Sequence, residues 1–300
     1  MLTKWKGFHA FTLVELLCAL LLGSIIAGSA IAILSGSIKA YEQTLALTEA
    51  RRRGEMVLQI LRLPVENAGL GIPFDPAGYK SSLCIGKATI PALCCWNGPV
   101  SVQGGELRLV YAVPTSTVNE ALATETMPSE DRTLRLSSSP QLGQVESWSG
   151  VGPSKTHSWV VFPPSPCPFL VTSLSNQALS LRSAMPSWIP HEASLSYLRA
   201  LRALVVSFPG KEPAFCTEDM TTGSGLQERV LGISGFKAEF YPGSRILCLR
   251  VLSRGGMRHS RMISPSTLQG WPGTITEENR HYVLSVSILT SRVRNGGESI

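Results

Sequence analysis

Charge is scarce in this chain of 300 residues: Asp, Glu, Lys and Arg together make up 16%. Between residues 16 and 38 there is none. Catalytic patterns are missing too. HEASL at His191 lacks the second His of a zinc-protease helix, and GISGF at Gly232 lacks the last Gly of a nucleophile elbow. There is no phosphate loop and no dinucleotide fingerprint. No Cys-x-x-Cys pair occurs, which argues against a zinc ribbon. The five His stand apart from one another. These absences speak against an enzyme, a bound metal and a cofactor. No internal repeat is visible.

The formal net charge is +6. Lys4 and Lys6 supply two of those positives; without residues 1–10 the balance is 25 basic against 21 acidic side chains, or +4. That is too weak to argue for nucleic acid by itself. Of seven cysteines, Cys18 sits within the apolar run and reads as a small buried hydrophobe. The other six, Cys84, Cys94, Cys95, Cys167, Cys216 and Cys248, would allow up to three disulfides in an exported domain. Adjacent Cys94 and Cys95 would take separate partners, because neighbours bridge awkwardly.

The charge-free residues 16–38 would span about 34 Å as a helix, at about 1.5 Å per residue. A hydrocarbon core is about 30 Å thick, so one crossing is expected, with the membrane part at about 13–38. Lys4 and Lys6 precede it, whereas residues 39–50 are nearly neutral. The positive-inside bias puts the N-terminus in the cytoplasm and the rest outside. The core is longer than a cleaved secretory signal needs. Small residues recur four apart, as in Gly23 with Ala27 and Gly28 with Ala32, a spacing that lets membrane helices pack closely. Glu15 stands at the start of this run. A carboxylate there is costly in lipid and marks a functional position until its partner is named.

The stretch AFTLVELL, after a short basic leader, resembles the N-terminus of type IV pilins and pseudopilins. The resemblance implies cutting by a prepilin peptidase between Ala10 and Phe11, then methylation of the new Phe11 amine. Glu15 becomes the fifth residue of the mature chain. The family usually has Gly before the cut, where this chain has Ala10. Gly7-Phe8 offers a second place, but cutting there puts Thr12 fifth and displaces Glu15. A new α-amino group is largely protonated near neutral pH. In a bundle of parallel helices, the amine of one subunit can meet the Glu15 carboxylate of the next, offsetting the cost of burying either. The partners implied are other pilin-like subunits, the peptidase, an assembly platform and inner-membrane lipid.

Past the span, apolar residues recur at Ile38, Tyr41, Leu45, Met56, Ile60 and Leu63, interrupted by Glu49 and Arg52. This predicts a helix continuing to Pro64, packed by one face on a globular domain. Gly54 would weaken it locally. Arg51, Arg52 and Arg53 read as a solvated face or a helix-helix charge contact. The following RRRGEMVLQILRLPVENAGLGIP loosely resembles a minor-pilin type, the W type, and the J-type pseudopilins of type II secretion. Glu66, Ala68 and Gly69 fit its acidic-x-x-Ala-Gly turn loosely, with one residue rather than two between Glu66 and Ala68.

The domain organisation expected is a leader at 1–10, a long helix at 11–64 and an exported β-rich domain at 65–300. The fold class is α+β, with the helix packed on antiparallel strands. Alternation marks strands at 107–111, 159–162, 169–174, 203–208, 230–241, 247–251 and 284–288. Residues 70–100 read as loop, 115–157 as a long loop or insertion, and 197–204 as a short helix. Arg254, Arg258 and Arg261 in SRGGMRHSRM form a candidate patch for an anionic partner such as DNA. No interleaved aromatic platform supports that partner. The function expected is a minor pilin or pseudopilin of a pilus or type II secretion-like filament. The alternatives are a membrane-anchored extracytoplasmic binding protein that never polymerises, or a DNA-uptake pseudopilin.

Overall fold

The structure is a computed structural model that describes residues 12–84, 91–118, 126–127, 132–135, 159–162, 167–174, 178–182, 187–188, 197–208, 213–220 and 225–294. It is α+β. Helix α1, Leu13–Glu66, opens the fold, followed by the short helices α2, Pro76–Leu83, and α3, Pro91–Cys94. The strands follow in order: β1 Val100–Gln103, β2 Glu106–Val118, β3 Thr126–Met127, β4 Arg132–Arg135, β5 Trp159–Val161, β6 Phe169–Leu174 and β7 Ala178–Arg182. After them come β8 Ser187–Trp188, β9 Tyr197–Ser207, β10 Ala214–Asp219, β11 Leu226–Leu231, β12 Ile233–Tyr241, β13 Ile246–Arg254 and β14 Leu284–Arg292.

Among the described residues, one sheet runs β1-β2-β9-β5-β6-β7-β4, with β10 and β11 joined to β9. Its pairs are antiparallel. β9 is central: β2 lies along one edge, while β5 and then β10 share the other. A second sheet, β12-β13-β14, is an antiparallel meander. One apolar core lies between α2 and the β5–β9 part of the large sheet, around Tyr79, Trp159, Phe162 and Phe169. The other joins α1 to both sheets through Val57, Leu61, Val65, Phe215 and Leu249.

Helix α1 outlasts its proline. Pro64 lies in the last turn, where only one backbone bond is forgone, and the helix continues through Val65 to Glu66. The Asn67 N–H donates to Leu63 O at 3.2 Å, and its side-chain amide caps the same carbonyl at 3.0 Å. The turn beyond is tied to β2: the Gly69 N–H donates to Val110 O and the Ala112 N–H to Asn67 O. Gly69 has φ +73°, and a Cβ there would lie 2.5 Å from the Phe74 ring, so both backbone and space require glycine.

The face of α1 that docks is not the one named by apolar spacing. Ile38, Tyr41, Leu45, Met56, Ile60 and Leu63 are all exposed. The buried face is Ala46, Ala50, Gly54, Val57, Leu61, Pro64 and Val65. Its first three members are small and four apart, so the helix backbone sits directly on the β12–β14 sheet. The Ser253 hydroxyl donates to Ala50 O at 2.6 Å. A Cβ on Gly54 would fall onto the Ser287 hydroxyl, and one on Gly255 would lie 2.7 Å from Ala46 O. Gly54 is therefore a contact residue rather than a weak point.

Other expectations need correcting. Residues 70–100 are not all loop, because Asp75 caps α2 by accepting from the Gly78 N–H at 2.6 Å, with Pro76 at the first helical position. Residues 197–204 belong to β9, not a helix: pairing along both edges overrides a weak helical spacing. Of the insertion expected at 115–157, β2 extends to Val118, and Thr126–Met127 and Arg132–Arg135 are strands; the rest lies outside the described residues.

Burial makes two measurements decisive. Leu61 is fully buried and Leu63 is 46% exposed on the same helix. Leu61→Ala should cost about 2–5 kcal/mol, and Leu63→Ala under about 0.5 kcal/mol, in thermal unfolding of the full chain in detergent. Alkali should also unfold the domain. Burial pushes the Tyr79 hydroxyl far up and that of Tyr111 up to about 12, the latter with a smaller contribution from Asp219. Below the unfolded value of about 10 their contribution is complete. Above it the unfolded chain loses protons that the folded chain keeps, so stability falls as pH rises toward 12, by roughly 2–3 kcal/mol for Tyr111. Tyrosinate absorbance against pH should show these two ionising only as the chain unfolds.

Candidate functional site

The N-terminal end of α1 is built from its cap. Thr12 has extended backbone, φ −68° and ψ 148°, and ends the helix as its N-cap. Its N–H and its hydroxyl each donate to Glu15 Oε2 at 3.0 Å. The Glu15 N–H donates back to Thr12 Oγ1 at 3.3 Å. This reciprocal capping box satisfies orphan donors of the first turn and holds the carboxylate where the helix dipole is positive. Thr12-x-x-Glu15 is a sequence signature for a helix start, and this role of Glu15 was missed by reading the residue only as a charge awaiting a partner. Both residues are exposed. Ala10 and Phe11 lie outside the described residues.

The segment from Leu13 to Tyr41 is exposed throughout. Three of its four serines turn inward on their own helix. The hydroxyls of Ser24, Ser29 and Ser35 donate to Leu21 O, Ile26 O and Ala32 O at 2.8, 2.8 and 3.0 Å. A helix crossing lipid must satisfy its polar groups within itself, and these three hydroxyls do so. Gly23, Gly28 and Gly36 have open space where a Cβ would be. α1 is long and apolar enough to cross a membrane.

Charge returns where the helix meets the domain. Arg53 pairs with Glu49 one turn back, and its other nitrogen donates to Arg254 O at 2.8 Å. Glu49 Oε2 accepts from the Gly256 N–H at 2.7 Å. Arg53 is thus a helix-to-sheet contact, whereas Arg51 and Arg52 are exposed.

The remaining candidates are spread through the fold. Cys84 and Cys94 form a disulfide that ties α2 to α3. Cys95 is exposed beside it. Cys167, Cys216 and Cys248 are unbridged, the last two buried in strands, so three disulfides do not form. Arg254 stacks over the Tyr282 ring, 4.3 Å from its centroid, which leaves it half-buried. Arg258 and Arg261 are exposed nearby. No cluster of His, Cys, Asp and Glu suited to a metal occurs among the described residues.

A family model described as the prokaryotic N-terminal methylation motif matches residues 5–31. No curated protein and no solved structure matches the chain. The motif supports a type IV pilin-like protein, a structural class that assembles with pilin subunits after prepilin peptidase acts. With a single apolar N-terminal helix, it fits a single-pass inner-membrane protein.

The capping box has its own test. Thr12→Val removes the hydroxyl and one side of the exchange. It should loosen the first turn by about 1 kcal/mol, seen as faster amide exchange at residues 13–16 of the full chain in micelles.

Proposed function

We propose that this chain is a minor pilin or pseudopilin, a structural subunit processed at Ala10–Phe11, methylated at Phe11 and assembled through α1. The observation that carries this reading is the methylation motif over residues 5–31, set on a helix whose membrane half is exposed throughout. The leader is 1–10, and α1 begins just past the cut, at Leu13. The N-terminus faces the cytoplasm and the domain from about residue 65 is extracytoplasmic.

Glu15 takes two roles in turn. In the stored subunit it closes the capping box with Thr12. In the filament it meets the methylated amine of a neighbour. The exchange needs no large motion, since the carboxylate already lies at the helix start among backbone donors. Removing one partner of such a pair strands the other charge in apolar surroundings, a loss of about 3–5 kcal/mol.

The helix end supports the finer resemblance to W-type minor pilins and J-type pseudopilins. Ala68 is fully buried and bridged to Tyr111, and Gly69 has positive φ. An Ala-Gly pair is what that turn requires. Pilus, secretion and competence roles share this subunit chemistry.

Intact-mass and N-terminal peptide analysis of protein from native membranes tests the reading. A mature chain starting at N-methylated Phe11 is expected. A start at Phe8 keeps the family and displaces Glu15 from its role. An unprocessed chain starting at Met1 rejects the pilin reading in favour of a plain anchored domain. With processing established, Glu15→Val should leave cleavage and folding intact and abolish incorporation into filaments.

A further inference from the structure

The loop between β13 and β14 hangs beside the first turns of α1 beyond the membrane. Ile263, Ser264, Pro265 and Leu268 face Ala40, Gln43 and Thr44 across an open groove. Residue 38 ends the charge-free run, and Lys39 follows it. Ala40 to Thr44 therefore lie about 3–9 Å beyond the hydrocarbon boundary, at about 1.5 Å per residue. The headgroup layer is about 5–7 Å thick on each side. The end of the loop around Ile263 sits at its height, and the start of the loop, held against Ala46 and Glu49, stands higher.

Its composition suits that layer. Met257, Met262 and Ile263 are 44%, 44% and 41% exposed. Arg258 and Arg261 are exposed between them, with no carboxylate partner among the described residues. No acidic residue occurs between Arg254 and Glu277. Large apolar side chains alternating with arginines are the pattern of an interfacial contact with anionic lipid. The loop is also held in place. The N–H groups of Ile263 and Ser264 donate to Arg280 O at 2.9 and 3.1 Å, and the Arg280 side chain donates back to Ser264 O. The His259 N–H donates to His281 O at 2.8 Å. The Gly256 contact to Glu49 fixes it to the helix.

We propose that residues 257–263 dock on the headgroup layer of the membrane that α1 crosses. Arg261, with Arg258 behind it, meets lipid phosphates, and Met262 and Ile263 reach toward the boundary of the acyl chains, while Met257, next to the Gly256 contact with Glu49, stays above them. The domain is then held at a fixed tilt by two attachments, the span and this loop, until the subunit is extracted. Arg254 takes no part, because its guanidinium is stacked over the Tyr282 ring. The inference rests on the reading that α1 spans the membrane, so the experiment reports on both.

The full chain is placed in phosphatidylcholine vesicles with and without phosphatidylglycerol. Photoreactive benzoylphenylalanine replaces Ser29, Met262 or Tyr241 in turn, and lipid adducts are read by mass spectrometry. Tyr241 is the control at the far end of the same sheet, about 26 Å from Arg254 along β13. Adducts at 29 in both vesicles, at 262 mainly with phosphatidylglycerol, and none at 241 are expected. Yield at 262 should fall roughly fivefold per arginine in R258Q and R261Q, the usual worth of one basic side chain at an anionic surface. Adducts at 29 without adducts at 262, or equal yields at 262 and 241, overturn the docking loop and leave the span standing. No adduct at 29 removes both readings. A chain without adducts at 262, whose retention of a short duplex DNA is lost in the double variant, assigns the patch to nucleic acid and overturns the proposal.

Discussion

The fold depends on how closely α1 can approach the β12–β14 sheet. Ala46, Ala50 and Gly54 bring backbone against Ser253, Gly255 and Ser287, and nothing larger fits. The Ser253 hydroxyl fills the narrow space by bonding Ala50 O. Below this seam the helix is bare; above it, Val57, Leu61 and Val65 enter the core. A shift of one residue along the helix would turn the small face away and put Glu55 or Arg51 against the sheet. Glu49, Arg53 and the Gly256 N–H reinforce the same register with charge-assisted bonds. The seam therefore fixes both the rotation of the helix and the height of the domain above residue 38.

How much of this was legible depends on what the pattern measures. The single long helix was visible because residues 13–66 hold no interior proline before position 64 and a 23-residue charge-free core. Half of the fourteen described strands, β2, β5, β6, β9, β12, β13 and β14, were visible as alternation or short apolar runs. The docking face was misread because apolar spacing assumes that the largest hydrophobes face the core. In this chain the stripe from Ile38 to Leu63 faces outward, and the face that docks is small rather than apolar. The repeated four-residue spacing at Ala46, Ala50 and Gly54 carried the signal. It was read only in the membrane half, at Gly23 to Gly36.

The end of α1 shows the same division between local and distant causes. The capping box and the Asp75-Pro76 start of α2 are local chemistry, written within four residues, and were open to reading. The strand at β9 is not local. Its Leu198, Leu201 and Leu204 have helical spacing, yet it is paired on both edges and must be strand. Arg199 and Arg202 within it are drawn to Asn67 and Asp219, partners that lie elsewhere in the sequence. The Cys84–Cys94 bridge was one of many pairings the cysteine positions allowed, and only the fold brings α2 and α3 together.

The outward stripe bears on why a subunit would leave the membrane for a filament. Beyond Ile38 at the hydrocarbon boundary, Tyr41, Leu45, Met56, Ile60 and Leu63 stand on the outer half of the helix, where water is their default surroundings. Each exposed apolar side chain forgoes about 1.5–3 kcal/mol relative to burial. A bundle of such helices would bury the stripe along its whole length, while the membrane half exchanges lipid for protein at little change in polarity. The gain on assembly would thus come mainly from the outer half. On the proposed reading, the charge at Glu15, already held within the helix, would then set position rather than drive association. On this account strength and register in the filament come from opposite ends of one helix.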